Sequence, residues 1–176
     1  RFADVPGLTL VHADILELKQ ARLDEWNIGK VAGNLPYSAA SRFLVDLAGA
    51  DRPVEEAVIT VQREVADRLA AAPGGRDYGL LSVWVQLVYD VELVKTVSPA
   101  CFYPRPEVSS AIVRLRRGSR AALRVAHRER LYAVTRYAFG RRRKQLAAAM
   151  ARAPGELRMN VDELRPLLVS LGLDPA

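Results

Sequence analysis

Apolar and polar positions in this chain change period several times, and each change marks an element. Leu8-Thr9-Leu10-Val11-His12-Ala13 is a short β-prone run that follows the turn signal Pro6-Gly7 and closes on Asp14, which predicts a strand with Asp14 at its carboxyl edge. Val31 to Gly33 predicts a second strand ending on Asn34, after a polar connection in which Trp26 is the expected packing anchor. Leu35-Pro36 then prevents the backbone from coiling straight on, because proline fixes its own φ and biases the residue before it toward extended geometry. Ser38 is the expected cap of a helix whose Phe43, Leu44, Leu47 and Ala48 recur at helical spacing, and Gly49 ends it.

Ala57-Val58-Ile59-Thr60-Val61 is nearly continuous in apolar character, as in a central strand buried on both faces. Gln62 to Ala72 returns to helical period, with Val65, Ala66 and Leu69 on one side, until Pro73-Gly74-Gly75 breaks it. Leu80, Leu81, Val83, Trp84, Leu87 and Val88 form the apolar stripe of another helix, which makes Trp84 a core residue. Tyr89 to Val97 and Ser110 to Leu115 are two further β-prone runs joined by the stiff Pro99 to Pro106 segment. Alternating strands and helices followed by two strands with no helix between them predict an α/β fold, its sheet mainly parallel with an antiparallel hairpin at one edge.

Beyond Leu115 the texture becomes helical and basic. Arg116-Arg117-Gly118-Ser119 reads as a linker, dividing the chain into residues 1–117 and a small helical domain over 118–176. Three helices are expected there: 121–139 broken at Gly140, then 141–152, then 161–171 ended by Gly172. In the first, Leu123, Leu131, Val134 and Ala138 form the buried stripe, leaving Arg124, Arg128 and Arg136 to water or phosphate.

Composition sharpens this division. The chain of 176 residues has a formal charge of +6, yet 114–144 alone holds twelve Lys or Arg against the single acid Glu129, while the remainder carries fourteen basic and nineteen acidic residues. Such polarisation suits a polyanionic partner, although a solvated helix surface gives the same count. One cysteine, Cys101, allows no internal disulfide; a buried small residue in a reducing compartment is the simplest expectation. No apolar run is long enough to span a membrane and the amino terminus lacks a signal-peptide layout, so a soluble, cytoplasmic protein is expected.

The chemistry concentrates at Asn34-Leu35-Pro36-Tyr37. Asn34 offers an uncharged amide acceptor and Tyr37 a flat face for stacking, both at the carboxyl end of a strand, where open α/β sheets bind ligands. Taken alone, the tetrapeptide is equally an ordinary strand-to-helix connection. His12 reads as a strand residue, His127 as a surface position, and no nucleophile triad, glycosidase-like acid pair or metal-ligand cluster is legible.

Asn34 to Tyr37 resembles the catalytic motif of amino-methyltransferases, and with Leu at its second place it is similar to that of the KsgA family of RNA adenine dimethyltransferases. A second segment, Phe102-Tyr103-Pro104-Arg105-Pro106-Glu107-Val108-Ser109-Ser110-Ala111, resembles the family's F-x-P-x-P-x-V-x-S-A signature, and Phe139 to Lys144 its Phe-x-x-Arg-Arg-Lys run. The resemblance implies a class I, Rossmann-like methyltransferase sheet, S-adenosylmethionine as cofactor, no metal, and N6-dimethylation of adenosines in small-subunit ribosomal RNA. It assigns Asn34, Leu35, Pro36, Tyr37 and Phe102 to catalysis: the Asn34 oxygen and a backbone carbonyl of Leu35 or Pro36 as acceptors for the adenine amine, Tyr37 and Phe102 as stacking faces. Before that match a core aromatic is the lesser alternative for Phe102, and a turn or helix-capping aspartate an equal one for Asp14; the resemblance gives Asp14 and Asn34 to the cofactor. Arg114, Arg116, Arg117, Arg141, Arg142, Arg143 and Lys144 are expected to bind RNA, with small-subunit ribosomal RNA or a pre-ribosomal particle as partner and the protein a monomer.

The same resemblance places the family's glycine-rich cofactor loop on strands before Leu8, and no G-x-G-x-x-G spacing occurs in the chain. The chain is therefore expected to be N-terminally incomplete, short of the family's last helical segment, and its own cofactor binding is left open. Two alternatives accompany the enzymatic expectation: a non-catalytic RNA-binding or ribosome-assembly module, and a large-subunit RNA adenine methyltransferase of the antibiotic-resistance type.

Overall fold

The computed structural model describes residues 6–17, 25–118, 128–142 and 144–173. Four strands form one mixed sheet: β1 (Lys30–Asn34), β2 (Glu56–Gln62), β3 (Tyr89–Val97) and β4 (Ser110–Arg117), in the spatial order β1-β2-β4-β3. β1 and β2 are parallel because α1 (Tyr37–Ala48) carries the chain back between them. β4 pairs antiparallel with both β2 and β3, so the hairpin that the missing helix implied lies at one edge and β2 lies inside the sheet.

Period-2 alternation decides which face is buried. Ala57, Ile59, Val61, Ala111, Val113 and Leu115 are all at 0% exposure, covered by Phe43, Leu44 and Leu47 of α1, Val65, Ala66 and Leu69 of α2 (Arg63–Ala70), and Trp84 and Val85 of α3 (Leu80–Gln86). Each large apolar side chain so buried contributes roughly 1.5–3 kcal/mol. Trp84 also donates its indole N–H to the Val45 carbonyl at 3.0 Å, which ties α3 to α1. The opposite face is more open: Val58 is 37% exposed, so β2 is not the doubly buried strand its apolar run suggested. Glu56, Arg114, Glu92 and Arg116 share that face as a chain of ion pairs across β2, β4 and β3, with Lys30 of β1 at 4.0 Å from Glu56.

α4 (Arg128–Phe139) joins two cores. Its Leu131 and Tyr132 pack on the sheet's core, Tyr132 meeting Trp84 edge-to-face at 5.0 Å between ring centroids. Its Val134 and Tyr137 pack on a second cluster made by Ala147 and Met150 of α5 (Leu146–Met150), Ala153, and Leu164 and Leu168 of α6 (Val161–Ser170). Asn160 caps α6 by accepting the Asp162 N–H at 3.0 Å, and Gly172 ends it at φ +71°, a left-handed conformation that glycine adopts without a Cβ clash. No helix among the described residues is long and apolar enough to cross a membrane.

Several local expectations are corrected. Leu8 to Ala13 forms no strand, and Leu8, Leu10 and Val11 are 44%, 66% and 43% exposed; β propensity without a ladder partner leaves backbone groups to water. Trp26 is exposed rather than a packing anchor, and so is Cys101, on a single 3₁₀ turn, Pro99–Cys101. Ser38 caps nothing: Pro36 is the N-cap and α1 begins at Tyr37, two residues earlier than the capping signal indicates. The helix expected over 141–152 is confined to Leu146–Met150, because Arg141 and Lys144 lie in tight turns after Gly140. Arg128 donates to the Ala50 carbonyl at 3.0 Å and is not left to water or phosphate. Arg116 and Arg117 extend β4 and so belong to the sheet, while Leu123, Arg124 and His127 lie outside the described residues.

Candidate active site

Asn34 is the last residue of β1, and the Leu35 N–H still reaches across to the Thr60 carbonyl of β2 at 3.2 Å. The sheet therefore holds the chain up to the point where Pro36 turns it into α1. Leu35 is buried at 8% exposure and anchors the turn, so its exposed neighbours Asn34 and Pro36 face outward. The Pro36 carbonyl is occupied, accepting the N–H groups of Ala39 at 3.0 Å and Ala40 at 3.1 Å. Among the described hydrogen bonds the Leu35 carbonyl accepts none, and this selects Leu35 over Pro36 as the main-chain acceptor available to a ligand.

The second wall comes from the proline-rich connection between β3 and β4. Asn34, Leu35, Pro36, Tyr37, Phe102, Tyr103, Pro104 and Pro106 line one open pocket of about 340 Å³, within the usual range for small-ligand sites. The five residues assigned to catalysis from sequence thus share a single concavity. Phe102 is half-buried, with its ring at the pocket rather than in the core, and Tyr103 stands fully exposed beside it. Tyr37 is half-buried and its hydroxyl lies 2.8 Å from the Ser110 hydroxyl, at the first residue of β4. Tyr103, Pro104, Pro106 and Ser110 were not singled out from sequence. Their signal was present in the spacing of the Phe102 to Ala111 segment, but which of its residues face the pocket depends on a contact between distant parts of the chain.

Asp14 is not among the residues lining this pocket. It is exposed and accepts the Leu16 N–H at 2.8 Å, the geometry of a local aspartate turn. The basic residues fall into distinct settings. Arg114 pairs with Glu56 and lies 4.0 Å from Glu92, Arg116 donates to Glu92 at 3.3 Å, and Arg117 donates to the Pro53 carbonyl at 3.3 Å. The Arg114 guanidinium, hydrogen-bonded to Glu56, holds that carboxyl below the usual carboxylate range against the opposing pull of desolvation. Arg141 stacks over the Tyr137 ring at 3.8 Å. Arg142 reaches from the turn after α4 to the carbonyls of Arg76 and Gly75, both at 2.6 Å. Lys144 is exposed, and Arg143 lies outside the described residues.

Comparison with known proteins follows the same residues. The chain matches the family model described as ribosomal RNA adenine dimethylase over residues 2–163. It is 35% identical over 171 residues to the ribosomal RNA small subunit methyltransferase A of Lachnoclostridium phytofermentans, covering 95% of this chain and 59% of that protein. Against the protein of the same name from Desulfitobacterium hafniense it is 37% identical over 166 residues, covering 92% of this chain and 58% of the relative. The chain thus spans less than two thirds of the length of these relatives. Among solved structures, a dimethyladenosine transferase from Plasmodium falciparum superposes with a TM-score of 0.64 at 27% identity, covering 84% of this chain and 53% of that one. The 23S rRNA methyltransferase ErmE superposes with a TM-score of 0.61 at 24% identity, over 99% and 66% of the two chains, a likeness of fold.

Proposed function

The chain belongs to the ribosomal RNA adenine dimethylase family and has a Rossmann-like methyltransferase fold, and from that premise we propose that it acts in S-adenosylmethionine-dependent N6-dimethylation of adenosines in small-subunit ribosomal RNA. The observation that carries this reading is the single pocket in which Asn34, Leu35 and Tyr37 meet Phe102. An exocyclic adenine amine is a poor nucleophile because its lone pair is delocalised into the ring. Two neutral acceptors, the Asn34 side-chain oxygen and the Leu35 carbonyl, draw its hydrogens out of the ring plane and stabilise the positive charge that builds on nitrogen in the transition state. Tyr37 and Phe102 sandwich the base, which must leave its helix to enter, each stacking contact contributing roughly 1–3 kcal/mol.

S-adenosylmethionine supplies an electrophilic methyl group when bound. The acceptor set here suits that chemistry: it is uncharged, so it stabilises a developing ammonium without trapping a proton. Asn34, at the strand end, is the residue of this pocket proposed to contact the cofactor as well as the base. Asp14 is proposed to serve the cofactor's adenine amine through the carboxylate oxygen that does not accept the Leu16 N–H. After transfer the proton leaves to water, so these residues need only position N6 in line with the methyl group. Arg141, Lys144 and Arg143 are proposed as contacts to RNA phosphates in a basic helical domain over 118–176; the protein is proposed to work as a cytoplasmic monomer on ribosomal RNA or its particle.

The deciding measurement is methyl transfer by the intact protein to small-subunit ribosomal RNA and, separately, to large-subunit RNA. Asn34→Ala is expected to lower kcat by about 100-fold or more with little change in RNA affinity. Equal turnover by the variant would overturn the mechanism, and preference for large-subunit RNA would overturn the substrate.

A further inference from the structure

Ser110 has no role in the chemistry above, yet it is one of two polar side chains, with Ser82, buried to 0% exposure among the described residues. A buried hydroxyl needs a partner, and the one Ser110 has is the Tyr37 hydroxyl at 2.8 Å. The two residues are 73 positions apart in sequence. Ser110 is rigidly placed: it opens β4 and stands in register with Gln62 of β2 on one side and Val97 of β3 on the other.

We propose that Ser110 is a positioning residue that presets the direction in which the Tyr37 side chain points, so that the pocket receives its base between two walls held at fixed separation. This deepens the methyltransferase reading and rests on it. Tyr37 is tethered twice, by its backbone at the first residue of α1 and by its hydroxyl at Ser110, which holds the first side-chain torsion and so the place of the ring. Ser110 also ends the segment that begins at Phe102, so the same contact refers the Phe102 wall to the Tyr37 wall. A ring already in place costs no ordering when the base arrives, and a near-attack geometry is sensitive to small displacements of the stacked base. RNA affinity, by contrast, comes mainly from phosphate contacts remote from this pair.

The inference is tested with the intact protein as wild type, Ser110→Ala, Tyr37→Phe and the double variant, each checked by thermal melting. Each single substitution is expected to lower kcat about fivefold, the usual worth of one neutral hydrogen bond, with KM for RNA unchanged. The double variant is expected to be no slower than either single one, because both remove the same contact. RNA carrying 2-aminopurine at the target position supplies a readout of the stacked base, and its emission in the complex is expected to rise in all three variants. Additive losses, or a melting loss with unchanged kcat and unchanged emission, would assign Ser110 a structural role alone. Should Ser110→Ala not fold, Tyr37→Phe interrogates the same contact from the half-buried side. A wild-type protein inactive on adenosine defeats the parent reading; an active wild type matched by Ser110→Ala defeats only this one.

Discussion

Tyr89 closes the sheet's core at 1% exposure, and its hydroxyl has no hydrogen-bond partner among the described residues. Burial pushes this phenol above its ordinary range; the Arg117 charge and the nearby Val54 backbone pull the other way without offsetting it. An orphaned buried hydroxyl costs roughly 1–3 kcal/mol, so Tyr89→Phe is expected to stabilise the protein by about 1 kcal/mol in urea melts. Because the raised group ionises first in the unfolded chain, stability is full below the ordinary phenol range and is lost as pH rises through it. The phenylalanine variant is expected to lose less there. At this scale sequence was most informative where chemistry is local. Asn34, Pro36 and Tyr37 occupy one turn, and their capacity to accept and stack follows from residue type. The choice of Leu35 over Pro36 as carbonyl donor of lone pairs required the α1 hydrogen bonds, and the Tyr37–Ser110 contact required tertiary structure. Cys101 was misjudged because small size favours burial only where a core reaches the residue.

Among the elements, strands whose partners lie nearby in sequence were legible, and so were helices with a wide apolar stripe. Leu8 to Ala13 shows the limit: a β-prone pattern states what a strand prefers and nothing about whether an edge is available. The short α5 has another cause, since the chain after Gly140 runs through turns at Arg141 and Lys144 before it coils again at Leu146. Elements are also tied by charge. Glu56 of β2 sits between Lys30 and Arg114, and its lowered carboxyl pKa means that the folded state holds the charged form more firmly than the unfolded chain. That contribution is present above the ordinary carboxylate range and is lost as pH falls through and below it. Thermal melts between neutral and acid pH are expected to show a smaller acid-induced drop for Glu56→Gln than for the wild-type protein; an identical drop would remove the cross-strand pairs from the stability argument.

For the whole molecule, the basic residues differ in what already holds them. Arg114 and Arg116 are matched to acids on the sheet, whereas Arg142 is spent on two carbonyls of the loop after α2. Lys144 is exposed and meets no carboxylate among the described residues. If it neutralises a phosphate, Lys144→Ala should reduce the slope of log affinity against log salt by about 0.7–0.9, while Arg142→Ala should lower thermal stability and leave that slope nearly unchanged. Filter-binding titrations over a range of potassium chloride separate the two. The overall architecture was legible because strand and helix alternate plainly and the hairpin lacks a helix; the way α4 spans both cores was not, because Leu131 and Val134 belong to one stripe in sequence. That span has a practical side. The chain holds two tryptophans, Trp84 shielded at the α3–α4 seam beside Tyr132 and Trp26 open to solvent. Their emission should therefore separate by colour and by quencher access, giving the protein an intrinsic optical gauge of whether the helical end stays seated on the sheet.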